Sequence, residues 1–345
     1  MMTSMRSAVT SFVSKQKQPL LQYLHSSGAG IDLRLLRQQP QKEKLVVVLG
    51  TTGAGKSRLS IDLATRLSGE IVNSDKVQVY RGLDVLTNKV TDEERCDVPH
   101  HLLGVVDPEK NFTAKNYCTA ASQAIRSITA RGHLPIIAGG SNSFIEALMD
   151  DGDCRLKSMY DVCFLWVDVS MPVLHSFVSE RVDKMVERGI VEEARSMFNP
   201  KNADYSRGLR NAIGVGEFHR YFQLESTTDA GTRAGLLKEA VDAVKINTCH
   251  LASTQLEKIK RLRNVRGWKL HRVDATEVFR SRAAGGGNDK EMWENQVMGP
   301  SSTIVTRFLN NRSGPMIYTD SSAAAIRSPA TPAMMGRRPM VAASH

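Results

Sequence analysis

Eight residues, Gly50-Thr51-Thr52-Gly53-Ala54-Gly55-Lys56-Ser57, follow the spacing GxxxxGK[ST] directly after the apolar run LVVVL at 45–49. Glycines in this pattern let successive backbone N–H groups close around phosphate oxygens at the start of a helix. Lys56 adds a positive charge, and the Ser57 hydroxyl can ligate Mg²⁺. The loop implies a diphosphate or triphosphate ligand and leaves the reaction open. Two other side chains bear on the reaction. Asp75, in NSDKVQVYRG, follows a second apolar stretch, where a carboxylate can take a proton from a nucleophile, enter a Mg²⁺ shell, or simply cap a turn. Arg181 shares a helical face with Leu174, Phe177, Val178, Val182 and Met185, so it points inward and needs an anion, either a structural carboxylate or a ligand phosphate.

Weaker signals surround these. Seven bases and no acid occur from Lys258 to Arg272, with Trp268 among them; such a run is either a solvated helix end and loop or a phosphate-facing patch. His100-His101 suits a turn or core position better than metal ligation, because adjacent side chains diverge on a strand. The cysteines, Cys96, Cys118, Cys154, Cys163 and Cys249, are scattered without CxxC pairs, which argues against a disulfide framework or zinc finger and for buried reduced thiols.

The elements that must position these residues alternate. LVVVL (45–49), GEIVNSD (69–75), LPIIA (134–138) and CFLWVDV (163–169) read as strands, and 56–67, 114–131, 172–188, roughly 208–223, and 232–263 as helices. Strand–helix alternation means a parallel sheet covered by helices, with ligands beyond the carboxyl ends of the strands. The expected fold class is therefore α/β: a P-loop NTPase-like parallel sheet flanked by helices, with a helical C-terminal part from about 170.

Of the net charge of +10, residues 1–44 carry +5 and residues 301–345 carry +4, so the segment between is almost neutral and lacks a general nucleic-acid footprint. Residues 1–44, basic and rich in Ser and Gln, read as a disordered transit peptide; 45–280 as the catalytic domain; and 281–345, with Gly285-Gly286-Gly287 as a joint, as a mostly flexible tail. No apolar run is long enough to span a membrane.

Taken together, GTTGAGKS, NSDKVQVYRGLDVLTNK, HHLLGVVDP, IIAGGSNSFIEAL, FLWVDVSMPVLHSFVSERVDKMVERG and GLRNAIGVGEF stand in the order seen in isopentenyltransferases, and the chain resembles that family over roughly 45–265. One branch of the family modifies adenosine in tRNA and the other modifies free adenine nucleotides, the first step of cytokinin synthesis in plants. In the tRNA branch a long helical insertion separates the Gly-Gly loop from the strand before the Arg-bearing helix. Here only Asp150 to Val162 lies there, so the resemblance favours the plant adenylate branch and disfavours tRNA.

The resemblance implies the following roles. The loop from Gly50 to Ser57 holds the diphosphate of dimethylallyl diphosphate with Mg²⁺, Thr51 and Arg181 act with it in catalysis, and Asp75 is the general base toward adenine N6. Ser141 and Asn142 contact the adenine nucleotide. AMP, ADP or ATP is the acceptor, and the basic run from 258 to 272 would meet its phosphates and favour ADP or ATP. The expected location is the plastid, with cytoplasm or mitochondrion as alternatives. Rival readings are a tRNA dimethylallyltransferase, a P-loop small-molecule kinase and a nucleotide-dependent regulatory module.

Overall fold

The structure, a computed structural model, describes residues 42–311 apart from 151–153 and 155. The chain runs β1 (Glu43–Gly50), α1 (Lys56–Leu67), β2 (Gly69–Asn73), α2 (Asp92–Arg95), β3 (His100–His101), α3 (Ala114–Ala130), β4 (Leu134–Ala138), α4 (Asn142–Asp150), α5 (Leu156–Met159) and β5 (Tyr160–Asp168). It continues through α6 (Met171–Glu187), α7 (Ile190–Ser196), a 3₁₀ turn (Gly208–Asn211), α8 (His219–Leu224), α9 (Ala230–Asn264), β6 (Leu270–Asp274), α10 (Thr276–Ala283), α11 (Asp289–Trp293), a π-helical turn (Glu294–Met298) and α12 (Gly299–Asn310).

The strands form one parallel sheet in the order β3-β2-β4-β1-β5-β6, so the expected α/β parallel sheet flanked by helices is present. Its central strand, β1, is buried along Leu45–Leu49, and its two faces feed separate cores. Val46 and Val48 pack with α1, α6 and the C-terminal helices. Leu45, Val47 and Leu49 pack with α3 and α4. Both faces being covered explains why the strand reads as an unbroken apolar run. The chain leaves β1 for β2 on one side and adds β5 on the other, and the glycine loop lies at this reversal, where open α/β sheets bind ligands.

Three expectations change. The helix expected over 208–223 is broken into the 3₁₀ turn and α8, because Gly214 adopts φ 103° between them. The basic run contains β6, which pairs with β5 from Phe164↔Leu270 to Asp168↔Asp274. The flexible tail expected from 281 is, up to Asn310, helical: Trp293, Val297, Met298, Val305 and Phe308 are buried in the same core as β1 and α1. The transit-peptide reading falls, up to Gln41, outside the described residues, as does the tail reading beyond 311. None of the five cysteines is in a disulfide; Cys118 and Cys163 are buried, whereas Cys96 is exposed, against expectation.

Trp293 ties the C-terminal helices to the phosphate loop. Its indole Nε1 donates to Asp62 Oδ2 at 2.7 Å, and the Arg58 guanidinium lies 4.4 Å from its ring centroid. A Cβ at Gly55 would fall 2.8 Å from the ring, so the indole backs the loop where Gly55 turns with φ 95° into α1. Replacing Trp293 by Ala empties a buried site and should lower unfolding free energy by about 3–5 kcal/mol. Trp293→Phe, losing mainly the bond to a carboxylate, should cost about 1.5–3 kcal/mol. Denaturant unfolding checks both, and equal losses would contradict a packing role.

Candidate active site

A cleft of about 840 Å³ opens at the carboxyl ends of β1, β2 and β4. Of the residues singled out from sequence, Thr52, Gly53, Gly55, Lys56, Ser57, Asp75, Ser141, Asn142 and Arg181 all line it. Gly50, Thr51 and Ala54 do not. Thr51, expected to act in catalysis, is buried, and its carbonyl accepts a bond from Lys56 Nζ at 2.7 Å and one from the Ala54 amide at 3.2 Å. The hydroxyl that meets the site's cation belongs to its neighbour: Arg181 Nη2 donates to Thr52 Oγ1 at 3.1 Å.

One half of the cleft is built for an anion. Helix α1 starts at Gly55 with no side-chain cap and no acid in its first turn, so its free N–H groups and dipole face the cleft. Burial pushes the Lys56 ammonium down to about 8, with Asp75 opposing the shift and Arg181 adding to it. Burial also pushes the Arg181 guanidinium down to about 10. Its Nε is buried without a hydrogen-bond partner, and no carboxylate pairs with it among the described residues. Of the two anions that an inward arginine can serve, the structural carboxylate is absent among the described residues, which leaves the ligand.

The other half holds the carboxylate. Asp75 follows β2, and its Oδ1 accepts from the backbone N–H of Val77 at 3.0 Å and of Gln78 at 3.4 Å. Turn-capping and proton acceptance are thus not alternatives here. One oxygen caps the turn and fixes the carboxylate, while Oδ2, 3.5 Å from where a Cβ on Gly140 would stand, has no protein donor among the described residues. Ser141 Oγ accepts from the Lys76 N–H at 2.9 Å, holding the segment after Asp75 against the start of α4. Asn142 is buried; its Nδ2 donates to the Gln255 carbonyl at 3.2 Å and its Oδ1 has no partner.

The basic run is divided. Arg261 and Arg266 bind Glu146, Arg272 binds Asp168 and Asp274, and Lys260 pairs with Glu257. Trp268 is buried against Phe164 and donates to Asp150. From this run Lys258 lines the cleft. His101 binds Glu70, which also takes Arg131, and His100 bonds to the Val98 carbonyl, so both histidines do structural work at the sheet edge.

Gln255 was not anticipated. Its Oε1 accepts from the Thr52 N–H at 2.6 Å and its Nε2 donates to the Gly140 carbonyl at 2.9 Å. The signal was available: on α9 it occupies the buried stripe running Leu236, Ala240, Val244, Thr248, Ala252, Gln255, Ile259, Leu262, where a large amide is as anomalous as Arg181 on α6.

The family model described as IPP transferase matches residues 78–157 and 152–262. The chain is 54% identical over 280 residues to adenylate isopentenyltransferase 3, chloroplastic, of Arabidopsis thaliana, covering 81% of this chain and 83% of that protein. It is 56% identical over 271 residues to adenylate isopentenyltransferase 7, mitochondrial, of the same plant, covering 78% and 82%. Its fold is similar to that of a eukaryotic dimethylallyltransferase acting on tRNA, with a TM-score of 0.66 at 22% identity over 80% of this chain and 81% of that one.

The depressed Lys56 sets a pH test of the anion half. The lysine is charged below about 8 and neutral above it. The affinity for inorganic pyrophosphate should therefore fall by up to roughly tenfold per pH unit above that point, relative to Lys56→Met, which shares the ligand's own titration. Calorimetric titration across this range checks it; parallel pH curves for the two proteins would contradict it.

Proposed function

The chain belongs to the IPP transferase family, and from that premise we propose that it transfers the dimethylallyl group of dimethylallyl diphosphate to N6 of adenine in AMP, ADP or ATP. The product is an N6-prenylated nucleotide, as in the first step of cytokinin synthesis, and diphosphate leaves. The observation that carries the reading is one cleft with two unlike halves. Lys56 and Arg181 are desolvated cations without an ion-pair partner among the described residues, and Asp75 offers across from them a fixed carboxylate whose Oδ2 has no donor there.

The reaction needs both halves. Adenine N6 is a weak nucleophile because its lone pair is delocalised into the ring. Asp75 Oδ2 accepts an N6–H hydrogen bond, aims the nitrogen at the allylic carbon, and takes the proton as the N–C bond forms. As the allylic C–O bond breaks, negative charge accumulates on the departing diphosphate. The free amides of α1, Lys56 and Arg181 stabilise that charge, and the desolvation of both side chains makes each interaction stronger than in bulk solvent. A divalent cation such as Mg²⁺ fits the donor set, because Ser57 supplies a hydroxyl in the cleft and the substrate's own phosphate oxygens supply the harder ligands. When bound it would add positive charge at the diphosphate.

A free nucleotide rather than tRNA is favoured by the connection between α4 and β5. It holds only residues 151–159, with the single-turn α5, and the two matched pieces of the family model meet there, at 152–157. The ion pairing of Arg261, Arg266 and Arg272 within the protein further reduces the surface left for a nucleic-acid backbone. Lys76, Arg207 and Lys258 line the cleft and support ADP or ATP over AMP as acceptor. The relatives named chloroplastic and mitochondrial, with the basic composition of residues 1–44, support a plastid location, the mitochondrion being the alternative.

Mass spectrometry of products from competing AMP, ADP, ATP and tRNA should show prenylated ADP or ATP with unmodified tRNA. Asp75→Asn should lower kcat by about 10²- to 10⁴-fold while the nucleotide still binds. Full prenylation by Asp75→Asn, or modified adenosine in tRNA alone, would overturn the reading.

A further inference from the structure

Gln255 lies deep in α9 and touches two loops at three points. Its side-chain Oε1 holds the Thr52 amide of the phosphate loop, its Nε2 holds the Gly140 carbonyl after β4, and its main-chain carbonyl receives Asn142 Nδ2 at the start of α4. The orientation of the amide is fixed by chemistry: a flipped amide would face N–H with NH₂ and carbonyl with carbonyl. The fit is also close. A Cβ on Gly140 would lie 2.5 Å from Gln255 Nε2 and 3.5 Å from Asp75 Oδ2, so any side chain at this glycine would meet both the bridge and the carboxylate. Thr52, at the other end of the bridge, is the residue whose hydroxyl accepts from Arg181.

We propose that Gln255 is a positioning residue for prenyl transfer, setting the spacing between the diphosphate-holding loop and the loop that flanks Asp75. The inference rests on the functional reading above. Attack requires the adenine nitrogen and allylic carbon at near contact, and the two reactants are held by different loops, so a slip between those loops is a slip along the reaction path. Strand β1 and strand β4 adjoin in the sheet, but hydrogen bonds between strands end where the loops begin. The Gln255 amide joins the loops beyond that point, one bond to each.

Two substitutions separate positioning from mere stability. Gln255→Leu keeps the bulk and leaves the Thr52 N–H and Gly140 carbonyl unpaired. Gln255→Glu keeps the acceptor toward Thr52 but sets a carboxylate against the Gly140 carbonyl; only when protonated does it reproduce the native donor and acceptor pattern. Steady-state kinetics with ADP and dimethylallyl diphosphate, normalised to the folded fraction from thermal unfolding, should show kcat for Gln255→Leu reduced by about 10- to 100-fold with both KM values within a few-fold of the parent. For Gln255→Glu the ratio of variant to parent kcat should rise toward acidic pH. Unchanged kcat per folded molecule in both variants, or a deficit in the Glu variant that is flat with pH, would overturn the proposal.

A binding measurement keeps the test independent of the chemistry. Inorganic pyrophosphate should alter the affinity of the parent protein for ADP, and this coupling should shrink at least about fivefold in Gln255→Leu. Absence of prenylated product from the parent enzyme would refute the functional reading alone; coupling that is absent in the parent, or intact in the Leu variant, would refute the role of Gln255.

Discussion

Two half-buried, desolvated cations that form no ion pair among the described residues set the terms for the rest of the molecule. Desolvating Lys56 and Arg181 side by side is unfavourable, as their lowered pKa values register, and the two oppose each other. Such an arrangement persists only where the surrounding fold over-determines it, and here it does. Lys56 is held by the Thr51 carbonyl and Arg181 by the Thr52 hydroxyl, with Trp293 packed behind Gly55. The field so created has one natural complement, a compact polyanion. In the proposed reaction the charge on diphosphate grows, and a site that is already positive does not reorganise as the bond breaks.

The same loop in a phosphoryl-transfer enzyme would hold the reacting phosphate. In the proposed reaction the electrophile is carbon and the phosphates depart, which assigns the loop to a leaving group and the decisive proton to Asp75. This division places different demands on the two sides of the cleft. The anion side tolerates diffuse electrostatics, whereas the acceptor side must aim a nitrogen. The acceptor side is accordingly tied down by discrete hydrogen bonds: Oδ1 of Asp75 to two amides, Ser141 to the Lys76 amide, and Gln255 across to the phosphate loop.

Much of this was legible in the sequence where the signal is local. The phosphate loop, β1, α1 and α6 announce themselves by contiguous spacing, and Arg181 was recognisable as a charge on an apolar helical face. Elements set by tertiary contact were not. Strand β6, LHRVD, is polar, short and at the sheet edge, so its pairing with β5 left no periodic trace. Helices α11 and α12 follow the glycine stretch at 285–287, and their few large residues, Trp293 and Phe308 among them, are buried only because α1 and β1 present a surface to cover. The resemblance put Thr51 ahead of Thr52 for catalysis, but which threonine faces the cleft depends on how the loop turns at Gly53 and Gly55. Gln255 needed the partner loops, 203 and 115 residues away in the chain, to become meaningful.

The central claim is that the phosphate loop grips a leaving group derived from the allylic donor and leaves the nucleotide's phosphates intact. Following ATP labelled in its γ-phosphate together with dimethylallyl diphosphate labelled in its diphosphate tests this directly. The account predicts one labelled pyrophosphate from the donor for each nucleotide prenylated, with the γ-label retained on the prenylated ATP. Release of the γ-label as orthophosphate, or its transfer to another acceptor in step with turnover, would contradict it.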